Sequence, residues 1–123
     1  ETRNMIDAAA LVQMKRDAVL INTARGAVVD VPALLDALRK DVIAGAGIDV
    51  LPAEPPAPDD AIAGAYRDRS DPMIGARLIL TPHAAWSSPE SSADARRLAV
   101  ETAMLYLREG RLRNLVNAPR TRR

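Results

Sequence analysis

Apolar and polar positions along this chain fall into short blocks whose period switches repeatedly between strand and helix. AAALVQM reads as a short helix capped by Asp7, and KRD then makes a polar turn into AVLINT, a compact apolar run of the kind shown by a strand covered on both faces. ARGAVV follows as a loop. Asp30 is placed to cap VPALLDALRK, a helix ending at Lys40, with Val31, Leu34, Leu35 and Leu38 at helical spacing and Pro32 tolerated in the first turn. IAGAGIDV, residues 43–50, reads as a second buried strand whose small residues let neighbouring helices approach, and the Pro-rich LPAEPPAPDD stops it. From there to Ala76 periodicity is lost, apart from one helical turn in DDAIAGAY; a connection of this length in a compact domain is more often functional than idle. RLILT, residues 77–81, makes a third short strand, closed by Pro82 and His83. SPESSADARRLAVETAMLYLREG is a long helix, capped by Ser88 or Ser91 and ended by Gly110, with Leu98, Met104, Leu105 and Leu107 along its apolar side.

Strand alternating with helix predicts an α/β fold with a parallel sheet, and no internal repeat or heptad competes with it. At 123 residues and 48% hydrophobic, the chain supports one domain with a real core. Its 17 Lys and Arg against 16 Asp and Glu leave a net charge of +1, with no overall field to draw in nucleic acid or an anionic membrane. Only RLRNLVNAPRTRR is locally basic, and it reads as a solvated tail. The lack of cysteine removes disulfides, zinc thiolates and cysteine nucleophiles, which fits a reducing compartment; a cytoplasmic location is expected. No apolar run approaches the ~20 residues of a membrane helix. The opening ETRNMID reads as the end of a loop entering a helix, so a piece of a longer protein is expected.

Candidate chemistry gathers at the strand ends, where open parallel sheets bind ligands. LTPHAAWSS, residues 80–88, holds the one histidine and one tryptophan of a chain that is 2% aromatic. Beyond the three strands lie Arg25, Asp49 with Glu54, and His83; strands ~4.8 Å apart would bring these groups within about 5 to 10 Å of one another. A carboxylate beside His83 would keep a proton available for a carbonyl oxygen, and the planar fork of Arg25 can hold a substrate carboxylate bidentately. Asp49 can accept hydrogen bonds from an amide ligand such as nicotinamide, and the small Thr23 and Ala24 would let a cofactor approach the backbone. Each residue also has a plainer reading. His83 can be a turn residue, Glu54 a solvent-facing loop residue, Arg25 a ligand of helix-end carbonyls, Asp49 a turn cap and Trp86 a packing residue. Convergence is what lifts the set. One His among scattered carboxylates makes no metal site, and no G-x-S-x-G elbow appears. GAG at 45–47 is followed by IDV, so G-x-G-x-x-G is incomplete and a dinucleotide's phosphates would be anchored outside this chain.

NMID, LINTARGAVVD, AGAGIDVLPAEPP and LTPHAAW, in this order, resemble the C-terminal half of the nucleotide-binding domain of the D-isomer-specific 2-hydroxyacid dehydrogenases. The resemblance spans nearly the whole chain. It looks most like the branch containing C-terminal-binding-protein-like dehydrogenases, with phosphoglycerate dehydrogenases more distant. It implies a partial doubly wound, Rossmann-like NAD-binding domain over residues 1–88, and over 89–123 a long crossover helix and basic tail returning to an absent substrate domain. Arg25 in TARG would bind the substrate carboxylate, Glu54 in AEP would pair with the catalytic histidine, and His83 would be the acid/base during hydride transfer. Asp49 would hold the nicotinamide carboxamide, and Thr23, Ala24 and the backbone of Ala84 and Ala85 would line NAD, beside Arg25 and His83. Ser87 stands where relatives of this branch carry an aromatic residue beside the position of Trp86. The resemblance also implies an N-terminal portion of the same protein and a homodimer when intact. The long helix should lack its natural cover on the apolar side, and the edge of the INTARG strand should be bare.

Two functions from different classes are thus expected: an NAD-dependent 2-hydroxy/2-keto acid oxidoreductase for which this chain supplies the Arg25, Glu54 and His83 trio, or an NAD(H)-sensing corepressor-like binding protein. For the chain alone, an inactive truncated product is a third.

Overall fold

The computed structural model describes residues 2–68 and 70–115. The chain divides into two compact units, Glu1–Ala85 and Trp86–Arg123. In the first, α1 (Ala8–Val12), β1 (Val19–Asn22), a 3₁₀ turn (Gly26–Val28), α2 (Val31–Arg39), β2 (Gly45–Ile48), α3 (Ala61–Arg67), α4 (Pro72–Arg77) and β3 (Leu78–Leu80) follow in order. The three strands form a parallel sheet in the order β1-β2-β3, with Asn22 opposite Ile48 and Ile48 opposite Leu80. All three therefore end at one rim.

Each helix of this unit starts on an aspartate. The side chains of Asp7, Asp30, Asp60 and Asp71 accept from the backbone N–H groups of Ala10, Ala33, Ala63 and Ile74 respectively, satisfying donors that the first helical turn leaves unpaired. The region expected to hold one helical turn thus holds two helices, and the Asp71-Pro72 pair was the missed start signal for α4. Arg77 ends that helix rather than opening β3. Its guanidinium and that of Arg16 both hydrogen-bond the Asp41 carboxylate, while Arg39 Nε donates to Asp71 at 2.8 Å, linking α2 to the start of α4.

The core lies on one side of the sheet. Leu34 and Leu38 of α2 pack with Leu11, Ile43, Ile62 and Ile74 over Ala46, Ile48 and Leu78. On the opposite side Val19, Ile21 and Ile79 are 56%, 65% and 65% exposed, so β1 is covered on one face and not on both. The bare edge expected for β1 is present, because it closes the sheet order on one side. The small residues of β2 admit a neighbouring strand at Gly47 and the end of α4 at Gly45. A Cβ on Gly47 would lie 2.9 Å from Ile21 Cδ1, and one on Gly45 would lie 3.0 Å from the Arg77 carbonyl oxygen.

The second unit is built on α5 (Pro89–Glu109). Ser88 and Ser91 do not compete for its start; they share it. Ser91 N–H donates to Ser88 Oγ at 3.0 Å and Ser88 N–H donates to Ser91 Oγ at 3.1 Å, a reciprocal cap. Gly110 ends the helix at φ 65°, where a side chain is disfavoured. No residue of α5 is buried, and Leu98, Val100, Met104 and Leu107 lie open. Trp86, expected to pack, is 64% exposed. Residues 116–123 of the basic tail lie outside the described residues.

Candidate active site

The rim is built by the register. Asp49 N–H donates to the Asn22 carbonyl and Thr81 N–H to the Ile48 carbonyl, both at 3.0 Å, so the first residue past each strand is held in line with its neighbours. Asp49 is buried at the centre of this row. Its Oδ1 accepts from the Thr81 hydroxyl and, at 2.9 Å, from Ala84 N–H, and its Oδ2 accepts from Ala85 N–H at 3.0 Å. The Thr81 hydroxyl, the Ala85 and Ala84 N–H groups and the nearby His83 ring hold the Asp49 carboxyl below its ordinary range. Of the two readings open for Asp49, the turn cap is what the contacts display. Its carboxylate is the fixed point around which residues 81–85 fold.

That turn sets the direction of His83. Its N–H donates to the Thr81 carbonyl at 3.0 Å and its φ is 52°, a left-handed conformation that is uncommon outside glycine and is held here by the turn around Asp49. So turned, His83 Nδ1 meets Glu54 Oε2 at 2.6 Å, and Glu54 Oε1 accepts from Leu51 N–H at 2.7 Å. The Leu51 N–H first, and the His83 ring second, lower the Glu54 carboxyl from its ordinary value. With Glu54 ionised, the ring nitrogen facing it carries the hydrogen of this contact.

Arg25 stands on the adjoining loop. The hydrogen bond of its guanidinium is to the Ala24 carbonyl, at 2.7 Å. The structure therefore joins two of the three expected groups, Glu54 and His83, while the Arg25 guanidinium is turned to a carbonyl of its own loop. Gly26 rests on the Leu51–Pro52 peptide so closely that a Cβ would lie 2.0 Å from the Leu51 carbonyl carbon.

Two clefts open at the rim. A larger one of about 420 Å³ is floored by Ile21, Gly47 and Ile79 and walled by Thr23, Asp49, Ala84 and Ala85. A second, of about 240 Å³, holds Glu54 and His83 with Leu51, Pro55 and Pro56. Asp49, Thr81 and Pro82 line both. Thr81 and Asn22 were missed in the sequence, although each is a polar residue ending an apolar strand.

Parallel strands with helices on one face and a polar constellation at their carboxyl ends make the first unit a partial, singly covered piece of a doubly wound α/β domain. Residues 1–85 match the family of the D-isomer specific 2-hydroxyacid dehydrogenase, NAD binding domain, and the chain belongs to it. It is 41% identical over 118 residues to a glycerate dehydrogenase of Methylorubrum extorquens, covering 96% of this chain and 35% of that protein. To a glyoxylate reductase of Korarchaeum cryptofilum it is 39% identical, covering 95% of this chain and 32% of that one. Among solved structures, the NAD-complexed D-isomer specific 2-hydroxyacid dehydrogenase of Lactobacillus delbrueckii superposes with a TM-score of 0.68 at 31% identity, covering 94% of this chain and 36% of that chain. The chain thus spans about a third of the length of these relatives.

Proposed function

We propose that the protein carrying this chain is an NAD(H)-dependent oxidoreductase that interconverts small 2-keto and 2-hydroxy acids. The observation that carries the reading is the 2.6 Å contact of His83 with Glu54, set in one of two clefts that share the Asp49–Thr81–Pro82 wall. Family membership supports the cofactor class, and the names of the relatives support a small hydroxy acid.

The residues fit the nicotinamide end of the cofactor. Ile21 and Ile79 give an exposed apolar floor, and Gly47 between them keeps it level, since a Cβ there would strike Ile21. Asp49 Oδ2 takes one N–H within the turn and has acceptor capacity for a carboxamide N–H. Thr23, Ala24, Ala84 and Ala85 would border the ring. When bound, the cofactor supplies the hydride for keto-acid reduction and takes it up in the reverse direction. His83 donates a proton to the keto oxygen, or removes it from the hydroxyl, and the Glu54 carboxylate steadies the charged ring. Arg25 exchanges its Ala24 partner for the substrate carboxylate, gripping it with its planar fork. The Gly-rich phosphate turn and the substrate domain belong to further segments of the same protein, to which α5 and residues 89–123 lead. A cytoplasmic homodimer completes the reading.

The test is NADH oxidation by the protein carrying this chain, with glyoxylate, hydroxypyruvate and pyruvate as acceptors. His83→Asn is expected to lower kcat by on the order of 10²- to 10⁴-fold while NADH binding persists. Undiminished turnover in that variant would falsify the role of His83. NADH-dependent capture of a protein partner, with none of the acids turned over, would favour the sensing function instead.

A further inference from the structure

Resting on that reading, we propose that Asn22 is a positioning residue for the carboxylate-binding arginine. Asn22 is the last residue of β1 and is 6% exposed, although its neighbour Ile21 on the same strand is open. A buried amide needs partners, and Asn22 finds both within the next three residues. Its Oδ1 accepts from Ala24 N–H at 3.1 Å and its Nδ2 donates to the Arg25 carbonyl at 3.0 Å. The Arg25 carbonyl also accepts from Val28 N–H at 3.2 Å. One side chain therefore ties down the Ala24 N–H, in the Thr23–Ala24 peptide, and the Arg25 carbonyl, in the peptide that follows Arg25, and it is itself fixed to the sheet because the Asn22 carbonyl accepts from Asp49 N–H.

The consequence is a rigid path from the sheet to the root of Arg25. The guanidinium is exposed, but the Arg25 Cα lies between these two anchors in an extended conformation, φ −149° and ψ 138°. Loss of the clamp would leave His83, Glu54 and the cofactor cleft in place and let the arginine drift from the substrate carboxylate. Asparagine suits the role because one side must accept and the other donate. Aspartate has the same shape but sets an oxygen against the Arg25 carbonyl, so Asn22→Asp breaks one half of the clamp at constant size.

The experiment measures steady-state kinetics in the protein carrying this chain, with whichever of glyoxylate, hydroxypyruvate and pyruvate the wild type reduces best. The variants are Asn22→Asp, Arg25→Ala and the double substitution, with Asn22→Ser as the alternative should the aspartate fail to fold; serine accepts from Ala24 N–H but is too short to hold the Arg25 carbonyl as well. Asn22→Asp should raise KM by on the order of tenfold to a hundredfold, with kcat and NADH affinity within about twofold of wild type. In the Arg25→Ala background the same substitution should add nothing further, since the group it positions is gone. Additive effects, an Asn22 variant with unchanged KM, or a parallel loss of NADH affinity would each overturn the proposal while Arg25→Ala still raises KM. A wild type that reduces none of the three acids, or an Arg25→Ala protein with unaltered KM, overturns the oxidoreductase reading and this inference with it.

Discussion

Gly26 and Leu51 touch backbone to backbone: a methyl group added at Gly26 would overlap the Leu51 carbonyl carbon at 2.0 Å and its oxygen at 2.2 Å. The loop that bears Arg25 and the loop that bears Glu54 are packed together at this one place. Leu51 is also the residue whose N–H holds Glu54 Oε1, so a push at Gly26 is felt at the His83 pair. Gly26→Ala is expected to destabilise the protein by about 1–3 kcal/mol or more, because the atoms facing it are backbone and cannot rotate away. Urea unfolding measures the first effect; a drop in turnover beyond that of Arg25→Ala alone reports the second. A variant as stable as wild type would mean that the loops part without cost.

Acid should loosen the rim. The folded protein holds the Asp49 and Glu54 carboxyls below their ordinary values, Asp49 chiefly through the Thr81 hydroxyl and Glu54 chiefly through Leu51 N–H. Groups depressed in this way stabilise the fold at pH values above the unfolded value, about 4, and lose that contribution as pH falls through the lower folded value. The midpoint of urea unfolding should therefore decline below about pH 4. Asp41, held down by Arg77 and Arg16, and Asp71, held down by Arg39, act in the same window. Asp49→Asn should flatten part of this acid limb and leave the rest. At neutral pH it should also be less stable than wild type, since its NH2 group replaces one of two oxygens that both accept, opposing either the Ala85 N–H or the Thr81 and Ala84 donors. An acid limb of unchanged steepness in Asp49→Asn would remove Asp49 from the account.

The two faces of the sheet should answer differently to substitution. Ile79→Thr, on the bare face, is expected to change the stability of this chain by no more than about 0.5 kcal/mol. Leu38→Ala, fully buried in α2, should cost about 2–5 kcal/mol through lost burial and the cavity left behind. Equal costs, measured by urea unfolding, would show that the bare face is covered in solution.

Much of the scaffold was legible because its signals are local. Asp7, Asp30, Ser88 and Gly110 mark helix ends by bonds or backbone conformations that span a few residues, and the periodic leucines of VPALLDALRK are the buried ones. The Asp71-Pro72 start of α4 was equally local and was passed over because the surrounding segment lacks a repeating apolar pattern. The two-sided burial expected for β1 failed for another reason. An apolar run records a strand's capacity to be covered, whereas cover depends on which other elements are present to lie upon it.

The sequence by itself determined the family, the order of strand and helix, and which residues stand just past each strand. The family is carried by the resemblance of four motifs to a known pattern, and the rest by apolar spacing and capping residues, which act over one or two turns of chain. Only the tertiary structure decided that Glu54 and His83, 29 positions apart, meet at 2.6 Å, and that the Arg25 side chain turns to Ala24. Parallel register and the left-handed backbone at His83 set the contact with Glu54. Both are imposed by hydrogen bonds to Asp49 and its neighbours, which no short window of sequence contains.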